Sequence, residues 1–179
     1  ILSLFGYFFY KDYLKKKKVE LADKYNLALL QFNSADKTKV TSQLKEIVLK
    51  KDRTYSPLAL YFIIDNSLIE SNDEINKLFD VIIDEVKNDK ELKNLIIYKK
   101  GLYNSEYEQE DKLLAILNPV INSDSAWKSH SLFLMAEYFY ANKEMKKSKE
   151  FYEKIINLKN VNQDIFLEAQ KRIQRDFSE

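Results

Sequence analysis

Four five-residue blocks recur along the chain at nearly constant spacing, and this recurrence limits the possible folds more than any other feature. The blocks are Leu44–Val48, Phe79–Ile83, Leu117–Ile121 and Tyr152–Ile156, and their first residues lie 35, 38 and 35 positions apart. In each block a large apolar residue is followed three and four positions later by Ile or Val, which is the spacing of one buried helix face. Because a period of this length matches one helical hairpin, the sequence predicts stacked helical hairpins.

Two further columns keep the same register in the first helix of each predicted hairpin. An aromatic residue or leucine recurs at Tyr25, Leu60, Tyr98 and Phe133. A mostly small residue recurs three positions later, at Ala28, Ile63, Gly101 and Ala136. Small residues allow the two helices of a hairpin to approach closely. Since Ile63 is large, we expect the second hairpin to be splayed or packed differently from the others.

The composition favours an all-α fold in one repeat domain, residues 15–179. Two glycines and two prolines leave few tight turns, and 45% hydrophobic with 32% charged residues suits amphipathic helices joined by short polar turns. We expect the first helix of the second hairpin to run from about Leu58 to Glu70. Pro119 should kink or end its helix near Asn118. A last helix, about Gln163–Asp176, should cap the array.

Several kinds of chemistry are excluded by the residues that the chain lacks. It has no cysteine, so disulfides and thiolate catalysis are absent, and its one histidine, His130, cannot form a histidine metal cluster. With Gly6 and Gly101 as the only glycines, no glycine-rich phosphate loop is possible. The acidic stretch 106–111 lacks the pattern of a calcium loop, and a formal charge of +1 does not suit a general nucleic-acid binder. We therefore predict no enzymatic activity, no metal, no cofactor, no small-molecule substrate and no nucleic-acid partner.

The chain opens with ten residues that carry no charged side chain. Ten residues cannot cross a bilayer, which takes about 20, but they could be the end of a transmembrane helix. The candidate membrane-interface residues are then Tyr7, Phe8, Phe9 and Tyr10. The alternative is a helix that lays these rings on the first hairpin. We therefore expect residues 1–14 to be the end of a membrane anchor or an extension of the first helix.

A basic flank follows this apolar segment, with Lys11 and the run Lys15–Lys18. Such a flank usually marks the cytoplasmic side of a membrane, so the sequence leaves the topology undecided. The lysines could attract anionic lipid headgroups if the preceding helix enters a bilayer. They could equally form a solvated helix face.

The last hairpin resembles the tetratricopeptide repeat, which has small residues at its eighth and twentieth positions and an aromatic residue at its twenty-fourth. Ala136, Ser148 and Tyr152 occupy these places, whereas Lys143 replaces the usual turn glycine and Asn160 the closing proline. The resemblance implies a right-handed solenoid of about four such hairpins and a C-terminal capping helix.

The wider layout is similar to that of the YfgM-like ancillary subunits of the SecYEG translocon, including their diverged alphaproteobacterial relatives. An apolar start leads into a long first helix, Ser125–Trp127 opens the last full hairpin, and the terminal helix contains Glu168–Arg172. The resemblance implies a single-pass protein of the bacterial inner membrane, with its helical domain in the periplasm, that links the translocon to chaperones or clients. That family has no catalytic residues.

First-helix residues line the inner face of arrays of this type, and polar or aromatic residues there are the candidates for partner binding. They are Tyr61, Asn66, Asn104, Tyr138 and Asn142. Amide and phenol groups can hold a peptide backbone while rings add apolar contact. The sequence thus predicts a non-catalytic protein-interaction scaffold. The alternative is an accessory subunit packed permanently within a large membrane complex, which would need a broader and more apolar interface.

Overall fold

A computed structural model of the chain describes residues 2–33 and 36–177, and these residues form α-helices and no strand. The helices are α1 (Leu2–Gln31), α2 (Lys37–Leu49), α3 (Tyr55–Asp65), α4 (Asn72–Glu85), α5 (Lys90–Asn104), α6 (Glu110–Ile121), α7 (Lys128–Ala141), α8 (Met145–Ile156) and α9 (Gln163–Asp176). The all-α prediction is confirmed for this part of the chain. The helices fall into two compact units that divide between Lys87 and Asn88, with α1–α4 in unit 1 and α5–α9 in unit 2.

Unit 1 is built from helices that each pack on the next one along the chain, and α1 also contacts α3. Its core includes Ala28 and Ile63 from the small-residue column, both fully buried. Helix α3 packs more extensively on α2 than on its hairpin partner α4, so the second hairpin is packed differently, as expected. That the size of Ile63 causes this stays a prediction. The Ser56 hydroxyl joins α2 to α3 because it donates to the Ile47 carbonyl oxygen over 3.0 Å.

Unit 2 repeats this order, and α9 packs against α7 and α8 where a capping helix was expected. At Gly101 a methyl group would lie 2.8 Å from Cγ of the buried Leu117, so only glycine lets α5 and α6 approach this closely. In the next hairpin the buried Ser148 hydroxyl donates to the Ala136 carbonyl oxygen over 2.9 Å. Close helix approach at the small-residue column is therefore confirmed in both hairpins of unit 2.

The four recurring blocks lie on buried helix faces in both units. Their first residues, Leu44, Phe79, Leu117 and Tyr152, are at most 1% exposed. Their fourth residues, Ile47, Ile82, Val120 and Ile155, are at most 2% exposed. The register inferred from the sequence is thus confirmed, and the helix packing within each unit is consistent with a helical repeat.

Pro119 removes one backbone hydrogen bond but does not end α6, which continues through Asn118 and Pro119 to Ile121, and a kink there stays a prediction. The predicted end of the first helix of the second hairpin was wrong. Helix α3 ends at Asp65 and not at Glu70. Ser67 adopts the left-handed conformation with φ 50°, and the next N–H donates back to the Ile63 carbonyl oxygen over 2.9 Å. This hydrogen-bonded ending stops the helix without a glycine.

Candidate protein-interaction surface

The three predicted asparagines all lie at helix C-termini. Asn104 is the last residue of α5, and Asn66 and Asn142 directly follow α3 and α7. Each side-chain amide donates to the carbonyl oxygen four residues earlier, over 2.9 Å for Asn66, 2.7 Å for Asn104 and 2.9 Å for Asn142. The Phe62 and Tyr138 carbonyl oxygens also accept the backbone N–H of the same asparagine, so these two amides add a second donor at their helix ends. Asn104 is only 1% exposed, so of the three asparagines only Asn66 and Asn142 have side chains that a partner can reach.

Tyr61 lies on α3 with its hydroxyl oxygen buried and without a hydrogen-bond partner among the described residues. Burial raises the pKa of Tyr61 to about 12 because the phenolate would lose its hydration. The hydroxyl is thus hidden within unit 1 and not presented on a binding surface.

Asn66 lines a polar cleft of about 470 Å³ in unit 1, between α2 and the loop that joins α3 to α4. Hydroxyl groups of Thr41 and Ser71 line the same cleft. An ion pair between Lys45 and Glu74 crosses it. The cleft offers hydrogen-bonding groups, and its lining is somewhat more polar than apolar.

In unit 2, hydrogen bonds bring Asn104, Tyr138 and Asn142 together at one end of α5 and α7. The Tyr138 hydroxyl donates to the Glu108 carbonyl oxygen over 3.2 Å, and the Glu108 N–H donates to the Asn104 carbonyl oxygen over 2.9 Å. The Asn142 amide bonds the Tyr138 carbonyl oxygen. Burial raises the pKa of Tyr138, with a smaller contribution from the negative charge of Glu110.

A charged group lies beside this end of unit 2. The Lys147 ammonium bonds Glu110 over 2.6 Å and Glu144 over 2.8 Å, and it lies 5.1 Å from the ring centroid of Phe139. The hydrogen bonds to Glu110 and Glu144 raise the pKa of Lys147. These residues therefore form a polar rim with few free charges.

A cluster of three aromatic rings forms a different surface in unit 2. Tyr98 of α5 stacks on Trp127 with ring centroids 5.6 Å apart and an angle of 21° between the planes. His130, in the first turn of α7, lies 5.0 Å from Trp127 and 5.8 Å from Tyr98. All three side chains are half-buried. We call Tyr98, Trp127 and His130 the three-ring cluster.

Glu91, near the start of α5, holds the loop that carries Trp127. Its carboxylate accepts hydrogen bonds from the Ser125 hydroxyl over 2.9 Å and from the Ala126 N–H over 3.1 Å. The Ser125 hydroxyl oxygen in turn accepts a hydrogen bond from the backbone N–H of Trp127 over 3.1 Å. These bonds fix the backbone at Trp127, and its ring stacks on Tyr98 without a partner present.

The three-ring cluster is uncharged at neutral pH. Burial lowers the pKa of His130, partly opposed by the nearby Ala126 backbone, so the imidazole is neutral at pH 7. Burial also raises the pKa of Tyr98, which keeps the phenol protonated. The cluster thus offers ring faces with neutral polar edges.

The sequence analysis did not identify this cluster. Tyr98 was predicted only as a packing position, Trp127 entered only through a family resemblance, and His130 was considered only as a metal ligand. The sequence does contain two indications of this cluster. Trp127 and His130 are three positions apart, so they can share one helix face. The last hairpin also follows the third at the repeat spacing of 35 residues. That spacing places the start of α7 beside α5.

The predicted membrane-interface residues lie on the N-terminal part of α1. Phe9 is 75% and Tyr10 61% exposed, so these two rings do not pack on the first hairpin, and Tyr7 is also exposed. The side chain of Phe8 lies outside the described part of the structure. Among the residues that the structure describes, none of the helices combines the length and the apolar character needed to span a bilayer. Placement of these rings at a membrane stays a prediction.

Metal-binding geometry was sought among the described residues, and no group of three or more His, Asp or Glu side chains there could hold an ion. Comparison with known proteins found no significantly similar family model, curated protein or solved structure. The function is therefore argued from the surfaces of the chain itself.

Proposed function

We propose that the chain is a non-catalytic protein-interaction scaffold, tethered to a membrane, whose binding surface in unit 2 is centred on the three-ring cluster. The observation that carries the proposal is a stacked Trp127 and Tyr98 pair that is half-exposed and already in position. Tryptophan and tyrosine are the residues most enriched where interfaces concentrate their binding energy. A partner that covers these rings removes apolar area from water, and because the rings are already ordered it loses little binding free energy to side-chain entropy.

Preorganisation strengthens this argument. Ordering a flexible side chain on binding costs about 0.5–1.5 kcal/mol. The hydrogen bonds of the Ser125–Trp127 loop fix the backbone at Trp127, and its ring is held by stacking on Tyr98, so little of that cost is left for a partner. The flat, neutral rings suit an apolar or aromatic side chain of a peptide segment. The imidazole of His130 and the phenol of Tyr98 can bond the segment's backbone at the edges of the rings.

The accessory-subunit alternative is favoured by a different observation. Unit 1 exposes large apolar residues on α1 and α3, with Leu30 76%, Leu27 49% and Leu58 41% exposed. A subunit packed permanently in a complex would cover a broad apolar surface of this kind. A scaffold that binds client segments needs only the smaller cluster.

The class of partner follows from the layout resemblance described above. It points to the bacterial envelope, where the scaffold would link the secretion translocon to periplasmic chaperones or to secreted chains. No part of the proposal requires a cofactor or a bound small molecule.

Site-specific photo-crosslinking in the native membrane tests the proposal. A photoreactive residue is placed at Ala126, which is exposed beside Trp127, and a matched one at Leu167 on α9. We expect a defined crosslinked protein at position 126 that is lost with Trp127→Ala and is not formed at position 167. Helical circular dichroism checks that the Trp127→Ala protein is folded.

The outcomes separate the candidates. A translocon or chaperone component captured in a Trp127-dependent way supports the proposal. The same crosslinks with Trp127→Ala would contradict the role of the three-ring cluster. Capture of one stoichiometric membrane-complex subunit from both positions would favour the accessory-subunit alternative.

A further inference from the structure

A groove of about 480 Å³ lies between α1 and the end of α2 in unit 1, and lysines from both helices line it. Lys17, Lys18 and Lys24 come from α1, and Lys50 and Lys51 come from the residues that follow α2. The lysine run is visible in the sequence, but only the fold brings the second pair of lysines beside it. The groove thus concentrates ammonium groups from two separate segments.

The acidic residues that line the groove do not neutralise it. Glu20 pairs with Lys24 over 2.7 Å. The Asp52 carboxylate accepts two backbone N–H groups of its own turn. Within the part of the chain that the structure describes, Lys18 and Lys50 form no ion pair. Lys17 forms no ion pair there either, whereas Lys51 pairs with Glu85, so three ammonium groups are available to an anion.

Exposed rings and apolar residues precede the groove on the same helix. Tyr10, Tyr13 and Leu14 are 61%, 53% and 46% exposed, and Leu14 also lines the groove. The Lys17 ammonium lies 4.9 Å from the ring centroid of Tyr13. From Tyr10 to Lys17 a helix rises about 10 Å, enough to cross a bilayer headgroup layer, which is about 5–8 Å deep on each side. If the rings enter the acyl boundary, the lysines reach the level of the phosphates.

The distribution of charge along the chain indicates which class of anionic partner the groove binds. Residues 11–18 contain five lysines and one aspartate, a net charge of +4, although the whole chain carries only +1. The rest of the chain is therefore net negative and repels extended polyanions such as RNA. The lysines of residues 11–18 would bind a negatively charged surface, and the exposed α1 rings would insert into an apolar layer beneath it. An anionic membrane has both properties.

We infer that the groove between α1 and α2 binds the phosphate headgroup of an anionic membrane lipid while the α1 rings insert beside it. Ammonium groups of Lys17, Lys18 and Lys50 donate charge-assisted hydrogen bonds to the phosphate oxygens. Unit 1 is thereby held against the bilayer surface. This inference rests on the proposed membrane tether but not on the three-ring cluster.

Vesicle flotation of the full chain tests the inference, with vesicles of phosphatidylcholine alone and of phosphatidylcholine mixed with phosphatidylglycerol. The groove variant carries Lys17→Gln, Lys18→Gln and Lys50→Gln. Each lysine near an anionic surface strengthens binding about fivefold, so we expect the variant to bind the mixed vesicles about a hundredfold more weakly.

A matched variant controls for net charge. Lys39→Gln, Lys77→Gln and Lys159→Gln remove the same charge from exposed positions outside the groove. We expect this variant to bind the mixed vesicles nearly as tightly as the unchanged chain. An equal loss in both variants would overturn the inference, because net charge alone would then explain binding.

The remaining outcomes also decide the matter. Equal binding to both kinds of vesicle would leave the membrane tether standing and overturn the headgroup site. No binding to either would overturn both, while the Trp127 crosslinking test would still report on protein binding. Release of the unchanged chain from the mixed vesicles by inorganic phosphate, at an ionic strength at which sodium chloride leaves it bound, would overturn the lipid assignment and show that the groove takes free phosphate.

Discussion

Because α5 and α6 approach closely at Gly101, their packing can be tested by measuring the free energy of unfolding of variants at this position. Gly101→Ala places a methyl group 2.8 Å from Cγ of Leu117, which is fully buried and cannot easily turn away. Overpacking of this kind costs about 1–3 kcal/mol. Alanine in a helix gains about 1 kcal/mol over glycine. We expect a net loss of about 1 kcal/mol in the free energy of unfolding.

The sign should reverse when the obstructing side chain is removed. Leu117→Ala alone should cost about 2–5 kcal/mol, since it leaves a cavity in the core. In that background Gly101→Ala meets no clash, so it should stabilise the protein by about 1 kcal/mol. The two changes are therefore expected to be coupled by about 2 kcal/mol.

Urea unfolding followed by helical circular dichroism gives the four free energies of this cycle. The control cycle pairs Gly101→Ala with Ile82→Ala, a buried change in unit 1, and should be additive within about 0.5 kcal/mol. Additivity in the Gly101 and Leu117 cycle would refute the close packing of α5 on α6. So would a stabilising effect of Gly101→Ala in the otherwise unchanged chain.

Three further predictions concern single side chains. Lys143→Gly should stabilise the protein by about 1 kcal/mol, because Lys143 has φ 63°, a left-handed conformation that costs nothing for glycine. The matched change Glu150→Gly, inside α8, should destabilise it by about 1 kcal/mol, and thermal unfolding of both checks the sign. Tyr61→Phe should be neutral or stabilising at pH 7, since the buried hydroxyl has no partner among the described residues. A tyrosine in the unfolded chain ionises at about pH 10, whereas burial raises the pKa of Tyr61 to about 12. Because ionisation then favours the unfolded state, the unchanged chain should lose stability relative to Tyr61→Phe as the pH rises from 10 to 12. Urea unfolding at each pH measures this loss, and parallel pH profiles for the two proteins would contradict it. Tyr152→Phe should cost about 1–2 kcal/mol in thermal unfolding, because the Tyr152 hydroxyl is the donor to the Glu137 carboxylate, and no loss would show that this bond is not formed.

Much of the helix packing could be predicted because it depends on local spacing. A buried face repeats every three or four residues wherever the chain is helical, so the buried columns could be read directly. The bounds of α9 were predicted correctly for the same reason. The end of α3 was not, because Ser67 takes a left-handed conformation that its residue type does not announce.

The candidate surfaces depended on contacts that no local pattern contains. The asparagines were predicted as polar residues of the first helices, but whether an amide bonds its own helix depends on where the helix stops. The pairing of Tyr98 with Trp127 requires α5 and α7 to pack together, and Glu91 must reach the loop before α7. The basic groove likewise needs the end of α2 beside α1. These contacts form only through tertiary packing.

The most direct measurement uses the fact that Trp127 is the only tryptophan of the chain. Incorporating fluorotryptophan gives one fluorine NMR signal, from within the three-ring cluster, and it is unaffected by tryptophans in a partner. On titration with the protein captured at position 126, we predict that this signal shifts or broadens until binding saturates. A partner that binds, as judged by sedimentation, while the Trp127 signal stays unchanged would contradict the proposal that the three-ring cluster is the protein-binding surface.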